Sequence, residues 1–339
     1  MSDGFIRALL IASCLLSACG DTSHPIRSPR LVAEARIELG RYLFYDTRLS
    51  INEKRSCGIC HEQAKGFTDG FPRAVGATHE LLPRNTLTLT NIGRRESLLW
   101  ATTESLTLTT QVLGPLLSTD PVEMGMGGGN EPLLLQRLST DIEYPERFKR
   151  AFPEVDGEIS VDTIAQAIVA FEETLVSEDS PFDRFQAGDS TALTASAQRG
   201  MALFFGAKMA CYRCHSGSDF DSPADTDGAV TSRHGAFNTG LFDVDGMGAY
   251  PAYDRGLIDY TEEASDMGRF RTPTLRNVEV TGPYTHDGTI AALEDMVRLY
   301  AAGGRDNQSG PYVGDGRANP FKDSLITGFE ATDDEVADL

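Results

Sequence analysis

Residues 57–61 read Cys-Gly-Ile-Cys-His, and residues 211–215 read Cys-Tyr-Arg-Cys-His. The C-x-x-C-H pattern is typical of c-type haem attachment, in which two thiols bond to one haem and the adjacent histidine ligates its iron. A structural zinc site closes with four ligands, whereas each motif offers three, and a thioredoxin-like redox pair does not need the histidine. The motifs therefore predict two covalently bound haem c groups, held by Cys57, Cys60 and His61 and by Cys211, Cys214 and His215.

The sequence around each motif repeats as well. A G-x-x-L-F stretch on a helical pattern precedes both motifs, at 40–44 and at 200–204. Each motif is followed by a turn that combines an aromatic residue, Phe67 or Phe220, with an acidic one. Such a repeat predicts two structural units of one kind, and turn-forming residues cluster at 186–194 between them. We therefore expect an N-terminal domain over 31–188 and a C-terminal domain over 189–339, both cytochrome c-like.

Helical patterning dominates the rest of the chain. Residues 131–151 and 161–176 place apolar side chains at spacings of three and four, and Ser160 or Asp162 could cap the second helix. Patterns typical of strands are few and short. We predict a mainly α protein with two cytochrome c-like haem domains and long loops.

Charge and length exclude some classes of protein. The chain has 339 residues, with 50 acidic against 30 basic side chains and a formal net charge of −20. A nucleic-acid-binding protein would need a basic patch, so we exclude that function. The excess of acidic over basic side chains does not identify a binding partner. The apolar runs are too short for a membrane-spanning helix.

The N-terminus predicts export. Residues 5–18 combine Arg7 with a short apolar run, as in a signal peptide, and Leu16-Ser17-Ala18-Cys19 resembles a bacterial lipobox. We expect a lipoprotein-type signal peptide over 1–18, a tether over 19–30, and a periplasmic protein that contacts the membrane only through a lipid on Cys19. An ordinary secretory signal, with Cys19 incidental, is the alternative. At the other end, residues 333–339 read as an opening helical turn, so we expect the natural chain to continue.

Several stretches resemble the superfamily of di-haem cytochrome c peroxidases and MauG. They are F-R-T-P-T-L-R-N-V at 270–278, T-G-P-Y-T-H-D-G at 281–288, Q-V-L-G-P at 111–115 and P-V-E-M at 121–124. The resemblance runs from about residue 31 to the end. It implies an oxidoreductase that reacts with hydrogen peroxide at one of two haems.

One position separates the branches of that superfamily. Fourteen residues after the histidine of the H-D-G motif, the peroxidases carry an axial methionine, whereas MauG-like enzymes carry a tyrosine that ligates the second haem. Here that residue is Tyr300. Leu293, Met296 and Val297 share its helix face, so core packing of Tyr300, or ligation by Met296, remains possible. Because a phenolate stabilises oxidised iron and methionine raises the potential, tyrosine favours the oxidation of a difficult substrate.

The resemblance also implies roles around the first haem, which would be the open peroxide site. Glu123 would be its general acid and base, with Gln111 and Pro115 lining the same pocket. The loop from Pro115 to Glu123 is about two residues longer than usual, so a surface position for Glu123 is the alternative. His79 is better read as an exposed loop histidine than as a ligand that gates the iron.

Two further roles follow from the resemblance. Trp100, the only tryptophan, would carry charge between the haems, although a sole tryptophan is often plain core. A calcium ion between the haems would be bound by the Asn91 side chain and the backbone carbonyls of Thr281 and Pro283, since calcium prefers oxygen ligands.

A closer likeness refines the expected function. Residues 238–242 (N-T-G-L-F) and 300–305 (Y-A-A-G-G-R) look like the MbnH group. The resemblance implies that hydrogen peroxide forms high-valent haems that oxidise a residue, tryptophan to kynurenine, on a partner protein of the MbnP type. The first alternative is a cytochrome c peroxidase that takes electrons from a small cytochrome or copper protein. The second is a non-catalytic di-haem electron carrier, which an open iron and Glu123 would exclude.

Overall fold

A computed structural model describes residues 28–224 and 235–339. The predicted signal peptide, Cys19 and most of the tether lie outside these residues and stay predictions. In the part of the chain that the structure describes, no helix is long and apolar enough to cross a bilayer.

The structure is mainly helical with long loops, which confirms the predicted fold class. The α-helices of the described residues are α1 Pro29–Tyr45, α2 Cys57–Cys60, α3 Leu108–Leu117, α4 Glu131–Ser139, α5 Tyr144–Ala151, α6 Val161–Glu172, α7 Pro181–Gln186, α8 Ala195–Phe205, α9 Ile258–Thr261, α10 Leu293–Ala301 and α11 Asp333–Asp338. The strands form two short antiparallel pairs there: β1 Ala236–Phe237 with β2 Phe270–Arg271, and β3 Asp306–Asn307 with β4 Gly314–Asp315.

The G-x-x-L-F repeat has the same structural purpose in both halves. On α1, a Cβ at Gly40 would lie 1.8 Å from the carbonyl oxygen of Ala167 on α6. On α8, a Cβ at Gly200 would lie 1.9 Å from the carbonyl oxygen of Asp338 on α11. No side chain fits in either contact. Each glycine therefore lets the first helix of its half pack directly on the backbone of a helix that comes later in the same half.

Two helix predictions need correction. The single helix expected over 131–151 is two helices, because the Asp141 carboxylate accepts hydrogen bonds from the backbone N–H groups of Glu143 and Tyr144 at 2.7 and 3.0 Å and starts α5 afresh. Pro145, in the first turn of α5, has no N–H to continue α4. The second helix begins as expected, with Ser160 as its cap, but it ends at Glu172 rather than at 176.

Two apolar cores hold the molecule together. The first is drawn from helices of the N-terminal half and includes Leu39, Leu43, Phe44, Leu116, Phe148 and Ile168. The second combines residues of the C-terminal half with two from the N-terminal half: Trp100, Ala101, Leu241, Phe242, Tyr250, Phe270, Ile290 and Leu299. Fully burying one such side chain contributes ~1.5–3 kcal/mol. The domain boundaries at 188 and 189 stay predictions.

Candidate functional site

The two motif histidines have the same hydrogen bond. Nδ1 of His61 lies 2.9 Å from the carbonyl oxygen of Phe67, and Nδ1 of His215 lies 2.9 Å from that of Phe220. A carbonyl oxygen only accepts, so Nδ1 donates in both, and Nε2 is left as the bare nitrogen that a metal needs. Burial lowers the pKa of both histidines, which favours the neutral form that binds iron. Both rings are therefore prepared as ligands.

The turns that position the Phe67 and Phe220 carbonyls are also alike. Phe67 and Phe220 have positive φ angles of 63° and 54°, in the left-handed region that few non-glycine residues adopt. The Thr88 hydroxyl donates to the carbonyl of Gly66, and the Thr274 hydroxyl donates to that of Asp219, each at 2.5 Å. These threonines begin a second repeat that the sequence analysis missed, T-L-x-N at 88–91 and 274–277. The identical spacing of Thr, Leu and Asn in the two stretches was the signal that could have revealed this repeat.

The four thiols do not fit the redox or zinc alternatives. Burial raises the pKa of Cys57 above its ordinary value, that of Cys60 and of Cys211 to about 11, and that of Cys214 to about 12. A redox-active cysteine needs a lowered pKa, because the thiolate is the nucleophile. Among the described residues, no group of three or more His, Cys, Asp or Glu side chains is arranged to hold a metal ion. Covalent haem attachment is the reading that remains.

One cavity brings together the residues predicted for the first haem. It holds about 670 Å³ of empty space, part of which is open to solvent. Its walls include apolar side chains such as Val112, Leu116 and Ile168. The predicted residues that line it are Cys57, Cys60, His61, Gln111, Pro115 and Glu123.

The longer loop after α3 still places Glu123 in this cavity. The Met124 N–H donates to the Pro115 carbonyl at 3.0 Å, so the loop folds back on the helix. The Glu123 N–H donates to the Ser118 hydroxyl at 2.8 Å, and the Glu123 carbonyl accepts from the Ala77 N–H at 2.7 Å. Burial raises the pKa of the Glu123 carboxyl, so it holds a proton more readily than an exposed glutamate does.

Two buried arginines have hydrogen-bond donors left over that an anionic group could accept. Nε of Arg95, and Nε and Nη2 of Arg271, have no hydrogen-bond partner among the described residues. Burial lowers the pKa of Arg95 to about 10 and that of Arg271 to about 9, and the charge of Arg95 lowers the pKa of Arg271 further. The Asp221 carboxylate, 4.0 Å from Nε of Arg95, offsets part of this charge. Haem propionates are carboxylates and could accept the remaining donors. The residues present therefore fit haem. The sequence analysis missed both arginines, although Arg271 stands inside the F-R-T-P motif.

Tyr300 lies at the second C-x-x-C pair. It is on α10, where burial raises its pKa, and the nearby Cys214 and Cys211 raise it further. Met296, one turn earlier, packs against the second core, as Tyr300 does. Tyr300 therefore lies near the second C-x-x-C pair, and its role as an iron ligand stays a prediction.

Trp100 is buried where the halves meet. Its indole N–H donates to the carbonyl oxygen of Asn85 at 2.8 Å, and its ring belongs to the second core. His79 is exposed on its loop and does not line the cavity. His79 is exposed, as expected, whereas the relay role of Trp100 and an open first iron stay predictions.

The predicted calcium ligand Asn91 is already engaged. Its side-chain oxygen accepts from the Ser177 N–H at 2.7 Å, and its amide nitrogen donates to the Ser177 carbonyl at 3.0 Å and to the Asp219 carboxylate. The side-chain oxygen keeps one lone pair for a cation. The calcium site, with the carbonyls of Thr281 and Pro283, stays a prediction.

One cavity residue was not singled out from the sequence. Glu172, the last residue of α6, is only 4% exposed and lines the same cavity as Glu123. The signal was available: Glu172 follows Ile164 and Ile168 at intervals of four, so it stands on the apolar face of its helix.

The chain is similar in sequence to several known proteins. A family described as "Di-haem cytochrome c peroxidase" matches residues 34–191. The chain is 34% identical over 268 residues to cytochrome c551 peroxidase of Pseudomonas aeruginosa, covering 79% of this chain and 72% of that protein. It is 32% identical over 286 residues to the methylamine utilization protein MauG of Methylorubrum extorquens, covering 84% and 73% respectively.

Solved structures give the same result. A MauG-like protein associated with microbial copper homeostasis superposes with a TM-score of 0.85 and 42% sequence identity, covering 90% of this chain and 87% of that one. The diheme peroxidase BthA of Burkholderia thailandensis, 23% identical, has a TM-score of 0.64 and covers 92% and 84%. The second comparison supports the fold alone.

Proposed function

Since the chain belongs to the di-haem cytochrome c peroxidase family and is a di-haem oxidoreductase, we propose that it uses hydrogen peroxide to oxidise a residue on a partner protein. The observation that carries the proposal is the position of Tyr300 beside Cys211 and Cys214. A tyrosine ligand stabilises oxidised iron and makes the second haem a poor acceptor of electrons from a cytochrome. Peroxide then serves to oxidise a substrate that is more difficult to oxidise than a cytochrome.

The chain's own residues fit a peroxide site at the first haem. When bound there, haem would supply an iron that peroxide can ligate. Glu123 holds a proton in the same cavity and can pass it between the peroxide oxygens. The Gln111 side chain can donate and accept hydrogen bonds beside it, and Val112 and Leu116 keep water out. Reducing one peroxide to water takes two electrons and two protons, and the electrons would come from the partner's residue.

Trp100 would link the two halves electronically. It lies in the second core with Phe270 and Tyr250, while its neighbours in sequence belong to the N-terminal half. An oxidised indole shares charge with its surroundings more readily than an aliphatic side chain does. We therefore assign Trp100 the relay role, with no contact to substrate.

The substrate is the finer part of the proposal. We propose that the substrate is a tryptophan on a partner of the MbnP type. Two molecules of peroxide would oxidise it by four electrons to N-formylkynurenine, with release of two waters, and hydrolysis would then remove formate to leave kynurenine. The support is the 42% identity to a MauG-like protein whose printed description associates it with copper homeostasis. We further propose export to the periplasm, a lipid anchor at Cys19, and a calcium ion at Asn91.

A direct assay separates this function from the alternative. The holoenzyme is incubated with hydrogen peroxide and a copper-associated partner protein carrying one accessible tryptophan, and the partner is then analysed by mass spectrometry. A mass gain localised to the tryptophan supports the proposal. Peroxide consumption that depends on reduced cytochrome c, with the partner unmodified, would instead establish a cytochrome c peroxidase, which several relatives are named.

A further inference from the structure

The cavity at the first haem motif contains two carboxyl groups on different sides. Beyond the effect of burial, the charge of Glu172 raises the pKa of Cys57, whereas the charge of Glu123 raises that of Cys60. Neither glutamate affects the pKa of the other. The two glutamates therefore act on different thiols of the motif, although both line the same cavity.

Glu172 has nothing to stabilise a negative charge. Its Oε2 has no hydrogen-bond partner among the described residues, and the side chain is buried. Burying an unpaired carboxylate is costly, so the group holds its proton. Burial alone raises its pKa to about 8. Cys57 from α2 and Tyr45 from α1 are the titratable groups on the helices nearest this end of α6, and α3 brings none. The other titratable or charged groups that line the same cavity are Arg55, Cys60, His61 and Glu123.

We propose that Glu172 is a redox-linked proton site, which releases one proton as the first haem gives up one electron. The inference rests on the proposed first haem at Cys57 and Cys60. In a redox titration the electron goes to the electrode and the proton goes to water. Charge in the apolar cavity then stays constant, which avoids the cost of adding a positive charge where no counter-ion is present.

The direction of the pH dependence follows from the charges. Extra positive charge on the oxidised iron favours the carboxylate, so the pKa of Glu172 is lower in the oxidised protein than in the reduced one. Between those two pKa values the midpoint potential of the first haem falls as pH rises. Within that window each pH unit changes the reduction equilibrium tenfold, which corresponds to a change in midpoint potential of about 59 mV for one electron. At pH values outside that window, the contribution of Glu172 to the midpoint potential does not change with pH.

The test is a spectroelectrochemical titration of the holoenzyme over about two pH units on either side of 8. The variants are Glu172→Gln, Glu172→Asp and Glu173→Gln, the last a control at the exposed neighbouring glutamate. We expect the wild type and Glu173→Gln to show the sloping window. Glu172→Gln should be flat at the higher, low-pH potential, and Glu172→Asp should restore a slope.

Two outcomes are distinguishable. A slope in Glu172→Gln equal to that of the wild type overturns the role of Glu172. Mass spectrometry of the same samples counts covalent haems, and a single haem, absent from the peptide that contains Cys57, would instead overturn the proposed peroxide site. The haem count is independent of activity, so the two failures cannot be confused.

Discussion

The backbone N–H of Arg271 donates to the carbonyl oxygen of Trp100 at 2.8 Å. This bond joins strand β2 of the C-terminal half to a loop of the N-terminal half, at the residue that also fills the second core. Trp100 is therefore held from both sides, since its carbonyl oxygen accepts from the Arg271 N–H and its indole N–H donates to the Asn85 carbonyl. A fixed ring between the halves is what charge transfer between two haems requires.

Replacing Trp100 with Phe should separate peroxide consumption from partner oxidation. The ring volume is largely kept, but the hydrogen bond to Asn85 is lost, which leaves a buried carbonyl unsatisfied at a cost of ~1–3 kcal/mol. We expect peroxide still to react at the first haem while partner oxidation slows markedly. Stopped-flow spectroscopy and partner mass spectrometry measure the two rates. Equal slowing of both would show that Trp100 serves the peroxide site rather than a relay.

Replacing Glu123 with Gln should slow the reaction with peroxide. The amide keeps the shape of the side chain but cannot move a proton, and general acid–base catalysis contributes ~10²–10⁴-fold. The measurement is the second-order rate of peroxide reaction with the oxidised holoenzyme. Glu96→Gln, at an exposed glutamate, is the matched control and should be unchanged. If both variants react at the wild-type rate, Glu123 is a lining residue only.

Replacing Arg271 with Met should lower the midpoint potential of a haem. Removing a buried positive charge makes oxidised iron easier to form, and it removes the cation that we assign to a propionate. Redox titration of the holoenzyme measures the shift, with the exposed Arg255→Met as control. Unchanged potentials of both haems would mean that Arg271 lies far from either iron and is neutralised otherwise.

Replacing Gly40 with Ala should destabilise the protein, because a Cβ there collides with the Ala167 backbone and forces α1 and α6 apart. Overpacking of this kind costs ~1–3 kcal/mol. Gly114→Ala is the control: on α3 a Cβ at this position meets nothing within 4 Å, so the change should raise stability by ~0.5–1 kcal/mol. Denaturant unfolding of the holoenzymes gives both values. Equal stabilities of the two variants would refute the close helix contact.

The sequence predicts the features that depend on local spacing and misses those that depend on tertiary contact. The C-x-x-C-H motifs and the G-x-x-L-F helices are visible because their residues are neighbours along the chain. Glu172 and Arg95 become notable only because burial leaves one polar atom of each side chain without a hydrogen-bond partner, which spacing does not reveal. The break between α4 and α5 was missed because the apolar periodicity continues through it, while Asp141 and Pro145 end one helix and begin another.

The most direct test of the central claim is peroxide titration of the diferric holoenzyme beside Tyr300→Phe and Tyr300→Met. We predict that stoichiometric peroxide gives the wild type a long-lived near-infrared band, that both variants lose it, and that reduced cytochrome c is a poor electron donor to the wild type. Rapid wild-type turnover with reduced cytochrome c, with no such band and no effect of either substitution, would contradict the account.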